Sequence, residues 1–206
     1  MDSAFLITAF VTMFVIIDPI GLAPVFITLT QGTDAAHRRA VAIRATLIAA
    51  IILTLFAFAG EQVLGVIGIT MPAFRIAGGI LLFLTALDML FERRTKRRED
   101  KADPDEEHPD PSVFPIAIPL IAGPGSIASI ILLAGRADGM LGFFSVLGVT
   151  FAVLGLLLLM FLMAGMVERA LGRTGITVVS RLLGMLLAAL SVQFVLDGLR
   201  GFGLGG

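Results

Sequence analysis

The sequence predicts an all-α integral membrane protein of six transmembrane helices, built as two inverted three-helix repeats with broken first and fourth helices. Three observations carry this. Hydrophobic residues make up 57% of the 206 residues and charged residues only 15%, with a mean hydropathy of +1.00, which places the chain far from soluble domains. Apolar stretches near or above the roughly 20 residues needed to cross a bilayer recur along it. A set of polar and glycine positions also repeats between the two halves.

The periodicity places helices at about 3–30, 38–60, 70–91, 113–135, 143–168 and 176–200. The first follows Met1-Asp2-Ser3 without a basic leader region and runs into a motif instead of a small-residue cleavage site, so it reads as a retained helix. It is interrupted by Asp18-Pro19-Ile20-Gly21-Leu22-Ala23-Pro24. The fourth is interrupted by Ala122-Gly123-Pro124-Gly125-Ser126. Proline removes a backbone donor and glycine adds freedom, so both are helix breaks.

Between the third and fourth helices, residues 92–112 read ERRTKRREDKADPDEEHPDPS, with almost nothing to bury. This connection divides an N-terminal repeat, 1–91, from a C-terminal one, 113–206. Arg93, Arg94, Lys96, Arg97, Arg98 and Lys101 assign it to the cytoplasm. Counting outward puts Arg38, Arg39, Arg169 and Arg173 on the same side, leaves Arg136 and Arg200 opposite, and turns both termini outward. The expected location is the cell inner membrane, with the bilayer as solvent.

Glu61-x-x-Leu64-Gly65-x-x-Gly68-Ile69-Thr70 recurs as Glu168-x-x-Leu171-Gly172-x-x-Gly175-Ile176-Thr177, each copy expected to join the second and third helix of its half. Arg75-x-x-Gly78 pairs with Arg181-x-x-Gly184, Asp88 roughly with Asp197, and Pro19-x4-Pro24 with Pro119-x4-Pro124. Their common order implies duplication. An odd number of helices per half inverts the second copy, an architecture typical of secondary transporters.

A broken helix exposes backbone groups that lipid cannot satisfy, so the break must face protein or a water-filled cavity. Half-helix N-termini suit a carboxylate and half-helix C-termini an ammonium or cation, so a zwitterion suits both. Asp18 could cap the following half-helix, take a proton or meet a substrate ammonium. Gly123, Pro124, Gly125 and Ser126 offer close backbone approach and a hydroxyl without a matching acid. The plainer reading of both breaks is a proline kink that shapes packing.

Gly78, Gly79 and Gly184 read as close helix contacts. Thr28, Thr85, Ser129, Ser191 and Gln193 could line a path, though single hydroxyls usually return to helix carbonyls, which leaves Gln193 as the second-tier candidate. Arg75, Arg181, Asp88 and Asp197 read as interfacial snorkelling or ion pairs, and Glu61 and Glu168 as interfacial. With no Cys, and with His37 and His108 in polar connections, thiolate, disulfide and zinc chemistry have no residues to build on. No cofactor is implied, and no nucleic-acid footprint is visible.

Asp18-Pro19-Ile20-Gly21-Leu22-Ala23-Pro24-Val25-Phe26, followed by Leu29-Thr30, resembles the DP-x-G-x-x-P-x-F signature of the MarC family. Pro119-Leu120-Ile121-Ala122-Gly123-Pro124-Gly125-Ser126-Ile127 resembles its PL-x-x-GPG-x-I partner. The resemblance covers nearly the whole chain. It implies a multi-spanning inner-membrane protein similar to neutral amino-acid transporters, grouped with exporters of small solutes. The substrates it implies are glycine- or alanine-like amino acids, with Asp18 the candidate for proton coupling. Carried over, the substrate site comprises Asp18, Pro19, Gly21, Pro24, Gly123, Pro124, Gly125 and Ser126.

Alternatives from other classes are an exporter of another small solute or drug, and a non-transporting scaffold or regulator that binds a partner through the charged connection. An enzyme would need a catalytic constellation in the membrane, and the sequence holds no HExxH, GxSxG or paired carboxylate with a neighbouring His. A homodimer is compatible with so small a transporter, and no interface motif specifies it.

Overall fold

The computed structural model describes residues 3–91 and 110–203, all of whose regular structure is helical. Apart from Asp110, Pro111 and Ser112, the charged connection expected at 92–112 lies outside the described residues. Helix α1 (Ser3–Ile17) and helix α2 (Pro19–Leu29) are separated by Asp18 alone. The Asp18 N–H donates to the Phe14 carbonyl at 2.9 Å and its own carbonyl accepts from Leu22 at 3.0 Å. The ladder therefore carries across the interruption, and the pair forms one apolar stretch of 27 residues.

Helix α3 (Ala35–Ile67) starts on Asp34, whose carboxylate accepts from the His37 N–H at 2.6 Å. It overruns the expected end at 60. Gly60 and Gly65 stay helical, and the stop comes at Gly68, in the left-handed region at φ 81. There Ile69 N–H donates to Leu64 and Gly68 N–H to Gly65, the paired bonds of a Schellman motif. Glu61, Leu64 and Gly65 thus belong to α3, and only Gly68, Ile69 and Thr70 join it to helix α4 (Met71–Leu90).

The expected helix 113–135 is two pieces. In α5 (Ser112–Ile121) the backbone is extended at Phe114 and Ile118, each before a cis proline, Pro115 and Pro119. Helix α6 (Pro124–Ala134) follows at an angle of 54°. Helix α7 (Gly139–Leu162) begins earlier than the expected 143 and also ends earlier than 168, because the chain turns at Met163, whose carbonyl accepts from Met166 and Val167. Helix α8 (Ala164–Gly201) is interrupted at Gly172 (φ 61, ψ 172) and runs as a long apolar stretch from Thr174.

The two copies of the repeated motif therefore fold differently. The left-handed glycine is Gly68 in the first and Gly172, the counterpart of Gly65, in the second. Among the described residues, five helical stretches are long and apolar enough to span a membrane, and counting the bent α5–α6 pair makes six.

Contacts sort the turns to two ends. At one end, Arg44 near the start of α3 bonds Asp110 at 2.8 Å. At the other, Gly135 after α6 abuts Met71, and Gly198 and Gly201 of α8 abut Pro72. The main core gathers Met13 and Ile17, Leu22 and Phe26, Ala45 and Leu53, Ile121, Ile130, Val153 and Phe161. Outside it, Leu47, Ile51, Leu55 and Phe58 of α3 and Val178, Leu182, Met185 and Leu186 of α8 form exposed apolar stripes at helical spacing. Such faces suit acyl chains.

The most extensive helix pair is α4 with α8. Gly79 faces Ser191 and Val195, Gly184 faces Ala86 and Met89, and Gly198 faces Pro72 and Ile76. The order along one helix reverses along the other, so they run antiparallel, with glycines letting the backbones approach.

Candidate functional site

The first interruption is built around Asp18. Its backbone sits at φ 55, ψ 63, a region that costs most L-residues roughly 1–2 kcal/mol but that Asp visits because its short side chain can bond locally. The carboxylate accepts from the Gly21 N–H at 3.1 Å and so starts α2, with Pro19 in the first helical position, where its missing donor costs nothing. Asp18 is only 2% exposed. A Cβ on Gly21 would stand 2.2 Å from Asp18 Oδ2, so glycine is required for the carboxylate to fold over the backbone. Pro24 lies inside α2, and its carbonyl accepts from the Thr28 hydroxyl at 3.0 Å.

At the second interruption Gly123 is the extended residue before α6 and Pro124 the first helical one. A Cβ on Gly123 would lie 2.4 Å from the Pro119 carbonyl oxygen. Ser126 is buried and donates to the Ile121 carbonyl at 2.7 Å, stitching α5 to α6. Pro124 is exposed on an apolar groove of ≈ 370 Å³ shared with Phe56, Phe74 and Leu81. The paired prolines act at different positions, because α2 begins on Pro19 whereas α6 begins on Pro124, the counterpart of Pro24.

The fold brings the two interruptions together. The position of a Gly125 Cβ is 3.5 Å from Ile16 Cγ2, two residues before Asp18, and within 4 Å of Leu82 and Thr85 of α4. Gln193 belongs elsewhere: it is exposed and donates to Asp197 Oδ1 at 2.7 Å. Asp197 also pairs with Arg136, whose guanidinium stands 4.9 Å over the Phe194 ring. In the α6–α7 connection, burial and then the nearby Arg75 charge hold the Arg136 pKa below its ordinary value. This is the ion pairing expected of Asp197.

Thr28, Thr85 and Ser191 bond to carbonyls of their own helices. Ser129 does not, and neither does Thr12, which no motif singles out. A cavity of ≈ 270 Å³ was also not legible. It opens beside Thr30, Arg38 and Arg39 and is lined at one side by Phe26 and Phe161, whose rings stack at 4.4 Å.

The model of the MarC family, described as integral membrane proteins, matches residues 3–202. A UPF0056 membrane protein of Methanocaldococcus jannaschii is 39% identical over 98% of each chain. UPF0056 membrane protein YvbG of Bacillus subtilis is 34% identical over 98% of this chain and 97% of its own. UPF0056 inner membrane protein YhgN of Escherichia coli K12 is 33% identical over 95% of this chain and 96% of its own. No solved structure matches significantly.

Proposed function

We propose that this chain, which belongs to the MarC family of integral membrane proteins, is a secondary transporter of small neutral amino acids working by alternating access. The observation that carries the reading is Asp18, a carboxylate 2% exposed at a helix interruption inside an apolar span, packed beside the start of α6. An acid in that setting is a functional residue by default, because leaving it in lipid costs several kcal/mol (roughly 2.5–3.5 on insertion scales). α6 begins beside Asp18, so the site sets a carboxylate that suits an ammonium against half-helix N–H groups that suit a carboxylate.

The α4–α8 pair supports inverted halves. With Arg75-x-x-Gly78 aligned to Arg181-x-x-Gly184, the contact of Gly184 with Met89 maps onto a contact of Gly78 with position 195, and Gly79 meets Val195. A two-fold axis in the membrane plane relates contacts in this way. The offset between Gly68 and Gly172 makes the relation approximate. Rocking of the halves would expose Asp18 and Gly123–Ser126 alternately, with the Arg38–Arg39 cavity as the vestibule at one end. The positive-inside rule favours a cytoplasmic position for that end, given the basic residues of the charged connection, and the name of the Escherichia coli relative agrees with an inner-membrane location.

Reconstituted protein is expected to exchange labelled glycine or alanine across liposomes, with Asp18→Asn reducing flux at least about tenfold while the variant still folds, since Asn also caps helices and tolerates the left-handed region. Absence of flux across a broad panel of neutral amino acids would refute the substrate class. Undiminished flux in Asp18→Asn would remove the carboxylate from the mechanism.

A further inference from the structure

Buried hydroxyls in this bundle mostly find a nearby acceptor, and Ser126 donates to the Ile121 carbonyl across the α5–α6 break. Thr30, Thr46 and Thr150 are buried, and each donates to the carbonyl four residues earlier. Two hydroxyls find no acceptor at all. Thr12 on α1 and Ser129 on α6 are both 0% exposed, and neither oxygen has a hydrogen-bond partner among the described residues. A buried hydroxyl without a partner opposes folding, so a pair of them calls for an explanation beyond packing.

The fold places them together. Gly78 faces Ala128 and Leu132 while Gly125 faces Leu82 and Thr85, so α4 and α6 run antiparallel. Stretches 3–29, 35–67 and 71–90 are consecutive spans joined by short turns, which gives α1 the direction of α4. α1 is therefore antiparallel to α6, with Ile16 against Gly125. One turn back along α1 from Ile16 is Thr12, and one turn forward along α6 from Gly125 is Ser129. Both steps lead to the same level on the same faces. The hydroxyls thus lie one turn beyond the Ile16–Gly125 contact, between one and two turns from the two interruptions.

We infer that Thr12 and Ser129 form the uncharged hydrogen-bonding wall of the substrate site, receiving the polar groups of a small zwitterion that enters when α1 and α6 part. This rests on the transporter reading above and adds a selectivity element to it. Each hydroxyl can both donate and accept, so the wall fits an ammonium or a carboxylate and disfavours apolar solutes. The Ile16–Gly125 contact closes the wall off in this conformation, which limits the ligand to one small enough to be enclosed after a modest separation.

Thr12→Val and Ser129→Ala remove the unpartnered oxygens with little change in shape. Each is expected to melt at or above the temperature of the parent without ligand, and to bind glycine or alanine about tenfold more weakly, as the loss of one hydrogen bond to a charged group implies. Parent-like affinity in both variants would overturn the wall and leave the transporter reading standing. The chain has no cysteine, so a Thr12→Cys, Ser129→Cys double variant reports proximity without any substrate. Mercuric ion should bridge the pair, and failure to bridge would overturn the juxtaposition. Bridging in a protein whose parent responds to no amino acid would leave the juxtaposition standing and overturn both the zwitterion wall and the amino-acid assignment.

Discussion

Gly21 is the residue on which the first interruption depends. Its hydrogen allows the Asp18 carboxylate to lie over the backbone, where any Cβ would overlap Oδ2. Gly21→Ala is therefore expected to lose the cap, lowering stability by about 1–2 kcal/mol in a denaturant titration in detergent. Asp110 gives a pH-dependent counterpart outside the spans. Its pKa is held below the ordinary carboxylate value chiefly by the Ser112 hydroxyl, which donates at 2.6 Å, with the Ser112 N–H and Arg44 adding to this and burial opposing it. A lowered folded-state pKa means stability present above the ordinary value and lost as pH falls through the folded one. The melting difference between the parent and Asp110→Ala should be constant from pH 7 to about 5 and shrink below about 4. A difference that grew on acidification would contradict the assignment. These local devices were partly legible. Asp before Pro announces a cap, but the three donors converging on Asp110, two from Ser112 and one from Arg44 of a distant helix, do not follow from spacing.

The glycines divide by what they touch at the scale of the helix. Gly79 would place a Cβ 2.8 Å from the Ser191 carbonyl oxygen and 2.7 Å from Val195, so neither backbone can retreat cheaply. Gly148 on α7 is exposed and has nothing within 4 Å. Gly79→Ala should destabilise by about 1–3 kcal/mol through overpacking, while Gly148→Ala should be neutral or stabilising by up to about 1 kcal/mol through helix propensity. Equal effects in paired thermal melts would mean that α4 and α8 are not tightly packed. Sequence reading found the close contacts at Gly78, Gly79 and Gly184. It ended the second helix at 60, because Glu61–Thr70 read as a connection, whereas Gly60 and the following residues to Ile67 stay helical, with Gly60 against Ile131 of α6.

Contacts give the whole molecule two distinct ends, and the absence of cysteine makes their orientation measurable. Single cysteines replacing Gln31, in the turn between α2 and α3, and Asp138, in the turn between α6 and α7, should react with impermeant thiol reagents from opposite sides of the membrane. The positive-inside rule assigns Gln31 to the cytoplasm. Labelling of both from one side would overturn the arrangement of spans, and labelling of Gln31→Cys from outside would invert it.

The sequence by itself determined that the chain is apolar enough for lipid to be its solvent and that Asp18-Pro19 and Gly123-Pro124 are helix boundaries. Both depend on quantities local to the chain: summed hydropathy, and the donor that proline lacks. Tertiary structure decided that the two interruptions meet through Ile16 and Gly125, that Gln193 joins Asp197 and Arg136 instead, and that Thr12 and Ser129 are left without partners. Whether a glycine is a contact or a hydroxyl is satisfied depends on the atoms that distant segments bring to it. Those distances appear only when the helices pack.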